Sequence, residues 1–129
     1  LNALGISSSS GTSNSNVDLL ARAISGEARG EPYEGQVAVG AVILNRVDNP
    51  NFPNTIAGVV YQKGAFDSVA DGQINMTPTA SARKAAQDAL NGWDPSGGAI
   101  YFFNPTTSTS KWIWSRTIIK TIGKHHFAK

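Results

Sequence analysis

Residues 37–44, Val-Ala-Val-Gly-Ala-Val-Ile-Leu, form the stretch that decides the fold. A helix that is apolar on every side belongs in the centre of a core. A buried strand is the alternative for so many valines, but the length of the segment and its polar continuation at Asn45-Arg46 favour a helix. We predict this central helix from about Glu34 to Asp48, between a break at Gly30 and Pro32 and a loop-rich region.

The segment before the central helix predicts a first helix. Apolar residues recur there at helical spacing, at Val17, Leu20, Ala21 and Ile24. With Ser15 or Asn16 as its cap, this helix should run from Asn16 to about Ala28. Residues 5–15 are small and polar, a composition typical of flexible linkers. We therefore predict a flexible Ser-rich linker over residues 1–15 and one folded domain over residues 16–129.

The chain after the central helix changes from loops to a helix and then to strands. Residues 49–78 are rich in Pro, Gly, Asn and Asp, and they suggest only a short helix around Ile56. Thr77-Pro78 predicts the start of a third long helix, which Asn91-Gly92 should end. Residues that favour strands follow at 99–103, 112–114, 117–122 and 126–127. Helices first and strands last predict an α+β domain.

Composition limits the class of protein. A chain of 129 residues with 40% hydrophobic content can build one ordinary core. No run approaches the roughly 20 apolar residues that a membrane span needs. The net charge is +2, yet the last nineteen residues carry five cations and no acid. This basic strip is either a solvated surface or a site that attracts an anionic polymer, and no nucleic-acid motif accompanies it.

Several kinds of chemistry are not expected. The chain has no cysteine, and no serine lies in a nucleophile-elbow pattern. His125 and His126 are the only histidines, and neighbours on a strand point to opposite faces, whereas zinc needs about three convergent protein ligands. No phosphate-binding glycine motif is present. We expect neither a metal site nor a cofactor.

Glu27 is the candidate catalytic residue. It lies three residues after Ile24 and seven after Leu20, so it continues the apolar stripe of the first helix. A carboxyl group on the buried side of a helix end is partly desolvated, which raises its pKa and lets it act as a general acid. Cleavage of a glycosidic bond needs such an acid, because the departing oxygen must receive a proton.

The sequence leaves two questions about Glu27 open. In a purely structural role, Glu27 would pair with an arginine and tie the first two helices together; the candidates are Arg22, Arg29 and Arg46. An ordinary glycosidase also needs a second carboxylate roughly 5 to 9.5 Å away. Its candidates are Glu31, Glu34, Asp67, Asp71 and Asp94, and none stands out. This favours a mechanism with one carboxyl group, in which the substrate's own hydroxyl displaces the leaving sugar.

Long motifs along the chain resemble those of a known family. They are Ala21-Arg-Ala-Ile24, Gly26-Glu-Ala-Arg-Gly-Glu-Pro-Tyr-Glu-Gly-Gln-Val-Ala-Val39, Val42-Ile-Leu-Asn-Arg46, Phe52-Pro53, Gly64-Ala-Phe66, Gly72-Gln-Ile74, Gly92-Trp-Asp-Pro-Ser-Gly-Gly98, Tyr101-Phe-Phe-Asn-Pro105 and Ile122-Gly-Lys-His125. Over residues 17–129 the chain is similar to the catalytic domain of the SleB/CwlJ cell-wall hydrolase family.

The resemblance implies a lysozyme-like or lytic-transglycosylase-like α+β domain with a cleft between a helical part and a small β part. It implies cleavage of spore cortex peptidoglycan, which contains muramic-δ-lactam, with 1,6-anhydro ends as products during germination. The family's catalytic glutamate, in its Gly-Glu-Ala-Arg-Gly-Glu motif, maps onto Glu27. It further implies an exported protein of the spore envelope that carries an N-terminal peptidoglycan-binding domain ahead of the linker.

Motif position also places four further residues in the substrate cleft: Tyr33, Phe66, Gln73 and Asn104. No apolar seam for association is evident in the sequence, so we expect a monomer. Two alternatives to a lytic transglycosylase stay open. One is a hydrolytic muramidase that uses a second carboxylate, and the other is a peptidoglycan-binding module without catalytic activity.

Overall fold

The computed structural model describes the backbone of residues 10–129 and the side chains from residue 15 onward. Residues 1–9 of the predicted linker lie outside this part of the chain. The helices are α1 (Ser10–Ala28), α2 (Tyr33–Val47), α3 (Ile56–Val60), α4 (Asp67–Ala70), α5 (Ala80–Leu90) and α6 (Lys111–Trp114), with a 3₁₀ turn at Gln73–Asn75 before α5. The strands are β1 (Tyr101–Phe103), β2 (Ile118–Ile122) and β3 (His125–Ala128).

Helix α2 is the centre of the molecule, as predicted. Its residues Val37, Val39, Val42 and Ile43 are fully buried, and α1 and α5 pack against it. Gly40 makes this close packing possible, because a Cβ added there would lie 2.9 Å from Ile24 of α1 and 3.3 Å from Ala89 of α5. A larger residue at this point would therefore require Ile24 and Ala89 to shift.

Helix α1 begins earlier than predicted. We expected its first residue at Asn16, but the helix starts at Ser10 and so includes the last six residues of the predicted linker. Once the packed turns up to Ala28 have formed, each further residue adds one hydrogen bond without a new nucleation cost. Propagation of this kind can carry a helix through serines and asparagines, which are only moderately poor helix formers.

Helix α5 has a different cap from the predicted one. Thr79, not Thr77, is the N-cap, and its hydroxyl accepts a hydrogen bond of 3.0 Å from the Ala82 amide. The Thr79 amide in turn donates to Ser25 on α1. This contact between distant segments fixes the cap two residues later than the local pattern indicates. The end of the helix at Asn91 agrees with the prediction.

The strands form one antiparallel sheet in the order β1-β3-β2. Phe127 on the middle strand is fully buried and pairs with Phe102 on β1. The predicted strand over residues 112–114 is wrong, because Lys111–Trp114 forms the short helix α6. The Ser110 hydroxyl caps α6 by accepting from the Ile113 amide, a local contact that outweighs a weak and context-dependent strand preference.

The helical part and the sheet share one hydrophobic core. The end of α2 is tied to the entrance of β1, since Asn45 donates to the Ala99 carbonyl and Arg46 donates to the Ile100 carbonyl. The α+β prediction is thus confirmed. None of the helices within residues 10–129 combines the length and the apolar character that a membrane crossing requires.

Candidate active site

An open cleft of about 500 Å³ lies where the end of α1, the end of α2, the α4 region and the sheet meet. The residues that line it are Gly26, Glu27, Arg46, Ala65, Phe66, Asp67, Ser68, Asp71, Gln73, Phe102, Phe103, Asn104, Thr107, Ser108 and His125. The segments that form this cleft are far apart in the sequence. Only the fold of the whole domain brings them together.

Glu27 lies in the last turn of α1 and is half-buried at the wall of the cleft. The Ser68 amide donates a hydrogen bond of 2.9 Å to its carboxylate. Burial raises the pKa of Glu27, hydrogen bonding from Ser68 opposes this, and the negative charges of Asp67 and Asp71 raise the pKa further. The group can therefore hold its proton at a higher pH than an ordinary glutamate.

Gly26 allows α4 to approach Glu27 closely. A Cβ at Gly26 would lie 2.5 Å from the Ser68 Cβ and 3.0 Å from its hydroxyl oxygen, so a side chain there cannot fit without a shift of α4. The Ser68 hydroxyl lies near the Glu27 carboxyl group but has no hydrogen-bond partner of its own. The glycine thus fixes the position of the residue that binds Glu27.

The arginine pairing considered for Glu27 is not present in the structure. Arg22 pairs with Asp18, Arg29 donates to the Ser25 hydroxyl, and Arg46 donates to a backbone carbonyl. Within residues 15–129, no arginine, lysine or histidine forms a salt bridge with Glu27. Its carboxyl group faces the cleft without a cationic partner.

The cleft brings together three of the four residues predicted to bind substrate, namely Phe66, Gln73 and Asn104. Tyr33 does not line it, so the structure does not bring this residue together with the other three. Tyr33 begins α2 on the side that faces α5, where its hydroxyl donates to Asp88 at 2.5 Å. Its ring also contacts Trp93 and Lys84. Tyr33 is close to Glu27 in the sequence, but its side chain lies on a different face of the domain.

Of the five candidates for a second carboxylate, two lie in the same cleft as Glu27 and three do not. Asp67 and Asp71 line the cleft with Glu27. The Glu31 carboxylate instead accepts from the Lys124 amide, and Glu34 is exposed. Asp94 binds residues of its own turn and Asn45.

Residues 30–128 match the family model described as Cell Wall Hydrolase. The chain belongs to this cell wall hydrolase family. It is 60% identical over 119 residues to the Spore cortex-lytic enzyme of Bacillus cereus, covering 92% of this chain and 46% of that protein. The chain thus spans about half the length of this curated relative.

Two solved structures are similar to this chain in fold and sequence. The catalytic domain of the Bacillus cereus SleB protein aligns with a TM-score of 0.87 and 57% identity, covering 98% of this chain and 94% of that one. The catalytic domain of SleB from Bacillus anthracis, described as a germination-specific lytic transglycosylase, has a TM-score of 0.87 and 55% identity, covering 99% and 100%. The resemblance noted in the sequence is confirmed.

Several residues of this cleft were not predicted as site residues, among them Arg46, Ser68 and His125. Two buried side-chain polar atoms among the described residues lack any hydrogen-bond partner, the Ser68 hydroxyl oxygen and the His125 Nδ1, and both residues line the cleft. Buried polar groups are normally paired, so two unpaired groups beside one cleft distinguish this part of the structure from the rest of the core. The sequence signal that could have revealed Arg46 is its position at the end of an otherwise apolar helix.

The pKa of His125 lies below its ordinary value, which favours the neutral imidazole. Burial lowers its pKa, and the nearby Glu31 carboxylate, 3.9 Å from Nδ1, opposes the shift. Across the part of the chain with described side chains, no three His, Asp or Glu residues converge as a metal-binding group would. The arrangement therefore offers one protonatable acid in Glu27, two further carboxylates and a wall of aromatic rings.

Proposed function

We propose that this domain cleaves the glycan strands of peptidoglycan, with Glu27 as general acid and then general base. The observation that carries the proposal is the setting of Glu27, a half-buried carboxyl group with a raised pKa and no cationic partner that faces an open cleft. Such a group is suited to protonate a departing glycosidic oxygen. Membership in the cell wall hydrolase family supports the same assignment.

The substrate we propose is spore cortex peptidoglycan that contains muramic-δ-lactam, cleaved during germination. The name of the Bacillus cereus relative, Spore cortex-lytic enzyme, supports this choice. The protein would then be exported and act in the spore envelope as a monomer. We also propose, from the family resemblance and the Ser-rich composition of the first residues, that an N-terminal peptidoglycan-binding domain accompanies this one.

The reaction we propose is that of a lytic transglycosylase. Protonated Glu27 donates to the oxygen between muramic acid and the next glucosamine, while the bond breaks through an oxocarbenium-like state. The negative charges of Asp67 and Asp71 favour that cationic state electrostatically. The Glu27 carboxylate then accepts the proton of the C6 hydroxyl of muramic acid, and the 1,6-anhydro ring closes without consumption of water. The description of the Bacillus anthracis structure supports this variant.

Hydrolysis by a muramidase is the second candidate. The observation that favours it is the presence of Asp67 and Asp71 in the same cleft as Glu27, because either could activate a water molecule. Phe66, Gln73 and Asn104 would contact the sugar in both mechanisms. A module that only binds peptidoglycan has no need for an acid with a raised pKa.

Release of soluble fragments from purified cortex tests the proposal. We expect the parent domain to release them and the Glu27→Gln variant, which keeps the size of the side chain but cannot donate this proton, to release none. Glu34→Gln is the matched control, since that glutamate is exposed and does not line the cleft. Binding to cortex without release by the parent would instead support the binding module, and release by the Glu27→Gln variant at the parental rate would overturn the role of Glu27.

A further inference from the structure

Arg46 is a charged residue of the cleft that the reaction described above does not use. Its side chain is only 8% exposed. Three aromatic rings surround the guanidinium group, with centroids 5.1 Å away for Phe52, 5.3 Å for Phe66 and 5.5 Å for Tyr101. Contacts of this kind stabilise a buried cation in part.

Most of the hydrogen-bonding capacity of Arg46 is unused. A guanidinium group carries five N–H donors, and the Nε donor is bound to the Ile100 carbonyl at 2.7 Å. No acid among residues 15–129 forms a salt bridge with Arg46. Its terminal nitrogens are not among the fully enclosed atoms without a partner, so they keep some contact with solvent, and the residue lines the cleft.

This arrangement is costly unless a ligand completes it. A buried charge without a counter-charge loses hydration that aromatic faces replace only partly. Burial lowers the pKa of Arg46, but a guanidinium group keeps its charge throughout the physiological range. A planar donor fork that faces a cleft matches oxygen acceptors, and it matches the two oxygens of a carboxylate or a carbonyl oxygen particularly well.

We propose that Arg46 binds an acyl oxygen of the glycan, either an amide carbonyl or a carboxylate carried by a sugar substituent. This inference rests on the proposed function, because the cleft must receive a peptidoglycan strand for such an oxygen to arrive. Every amino sugar of that polymer carries an N-acyl group. In muramic-δ-lactam this acyl group is the lactyl group closed onto the nitrogen, whereas other muramic acid residues carry a lactyl group besides their acetyl group. An acyl oxygen held by Arg46 fixes the register of the strand relative to Glu27 on the same cleft.

Arg116 provides a matched control for a purely structural role. Its Nε donates to the Lys129 carbonyl at 3.0 Å, and its guanidinium lies 5.5 Å from the Tyr101 ring and 5.4 Å from the Trp112 ring. It therefore makes the same two kinds of contact as Arg46 but does not line the cleft. Removal of either arginine affects packing, whereas removal of Arg46 alone affects substrate binding.

The first test compares the kinetics of Arg46→Met, Arg46→Lys and Arg116→Met on solubilised cortex glycan strands. We expect kcat/KM of Arg46→Met to fall by about 10- to 100-fold, mainly through KM, since a hydrogen bond to a charged group is lost. Lysine should restore the value only in part, because it lacks the fork. Arg116→Met should keep the parental KM. Equal effects of the two methionine variants, or a kcat/KM of Arg46→Met within about twofold of the parent, would overturn the proposal.

A second test needs no change at Arg46 and so holds even if Arg46→Met does not fold. The guanidinium ¹⁵N resonances of Arg46 are followed in the Glu27→Gln variant, with those of Arg116 as the internal control. The probes are the disaccharide of N-acetylglucosamine and N-acetylmuramic acid with a free lactyl carboxylate, and its lactyl methylamide.

Each outcome of the second test is decisive. If the guanidinium ¹⁵N resonances of Arg46 shift with both probes, the bound group is a neutral carbonyl oxygen. If they shift with the acid alone, the bound group is a carboxylate. No shift with either probe overturns the proposal. If the parent domain releases no cortex fragments while Arg46 still shifts, the proposed catalytic function fails and the assignment of Arg46 stands.

Discussion

The Ser68 amide and the Glu27 carboxylate are joined by a hydrogen bond of 2.9 Å across 41 positions of sequence. This bond fastens α4 to the last turn of α1. It also aims the carboxyl group, while burial and the neighbouring acids keep the pKa of Glu27 above its ordinary value. The position of α4 should therefore matter for both stability and activity, although α4 itself is only four residues long.

Gly26→Ala tests this contact. The new methyl group would meet the Ser68 Cβ at 2.5 Å, so we expect a loss of about 1 to 3 kcal/mol in unfolding free energy and a lower kcat. Urea unfolding and initial rates measure the two effects. The double variant Gly26→Ala/Ser68→Gly removes the clashing atom and should recover part of the stability. A fully stable and active Gly26→Ala would contradict the close approach of α4.

The acidic lining of the cleft should set the pH dependence of activity. A general acid must be protonated, so kcat/KM should fall as the pH rises through the raised pKa of Glu27. Asp67→Asn and Asp71→Asn each remove a charge that raises this pKa, and the fall should then begin at a lower pH. The exposed Asp48 lies outside this cleft, and Asp48→Asn should leave the profile unchanged.

The variants Asp67→Asn and Asp71→Asn also distinguish a lytic transglycosylase from a hydrolytic muramidase. A transglycosylase with Glu27 alone should keep measurable activity in both variants, with only a shifted profile. Complete loss of activity in one of them, in a protein that remains folded, would instead identify that aspartate as the second carboxylate of a muramidase.

The raised pKa of Glu27 also has a consequence for stability. A carboxyl group whose pKa is higher in the folded state stabilises the fold fully below its unfolded pKa, and this contribution is lost as the pH rises through the folded value. The parent should therefore lose stability relative to Glu27→Gln as the pH rises over that window. Urea unfolding of both proteins from acid to neutral pH measures the difference. A difference that does not change with pH would contradict a raised pKa.

Tyr33→Phe tests whether Tyr33 contacts the substrate, as the motif position predicts. The variant loses the hydrogen bond to Asp88, so we expect unfolding free energy to fall by about 1 kcal/mol. Activity should stay at the parental level, because Tyr33 does not line the cleft. Phe66→Leu, in the cleft wall, serves as the comparison and should lower kcat/KM. A selective loss of activity in Tyr33→Phe would restore Tyr33 to the substrate site.

The main helices could be predicted from sequence because their apolar spacing reflects burial directly. The apolar run at 37–44 indicated the central place of α2, and the stripe that ends at Glu27 indicated which side this carboxyl group faces. The short helix α6 could not be predicted, since one local cap at Ser110 decides between helix and strand there. Local signals of this strength are easily masked by the strand preference of Trp and Ile.

The rest of the site depends on contacts that no local pattern contains. Ser68 becomes part of it only because Gly26 lets α4 approach, and Arg46 only because Ile100 and the aromatic rings fix its guanidinium group. Tyr33 is the reverse case, since it is six residues from Glu27 in the chain yet contacts α5. Sequence proximity is therefore a poor guide to which residues share this cleft.

Mass spectrometry of the ends of fragments released from purified cortex, with the parent and Glu27→Gln in parallel, tests the central claim most directly. We predict fragments that end in 1,6-anhydro-muramic acid from the parent and none from the variant. Reducing ends that carry added water would contradict the transglycosylase mechanism, and equal release by the variant would contradict the assignment of Glu27 as the acid.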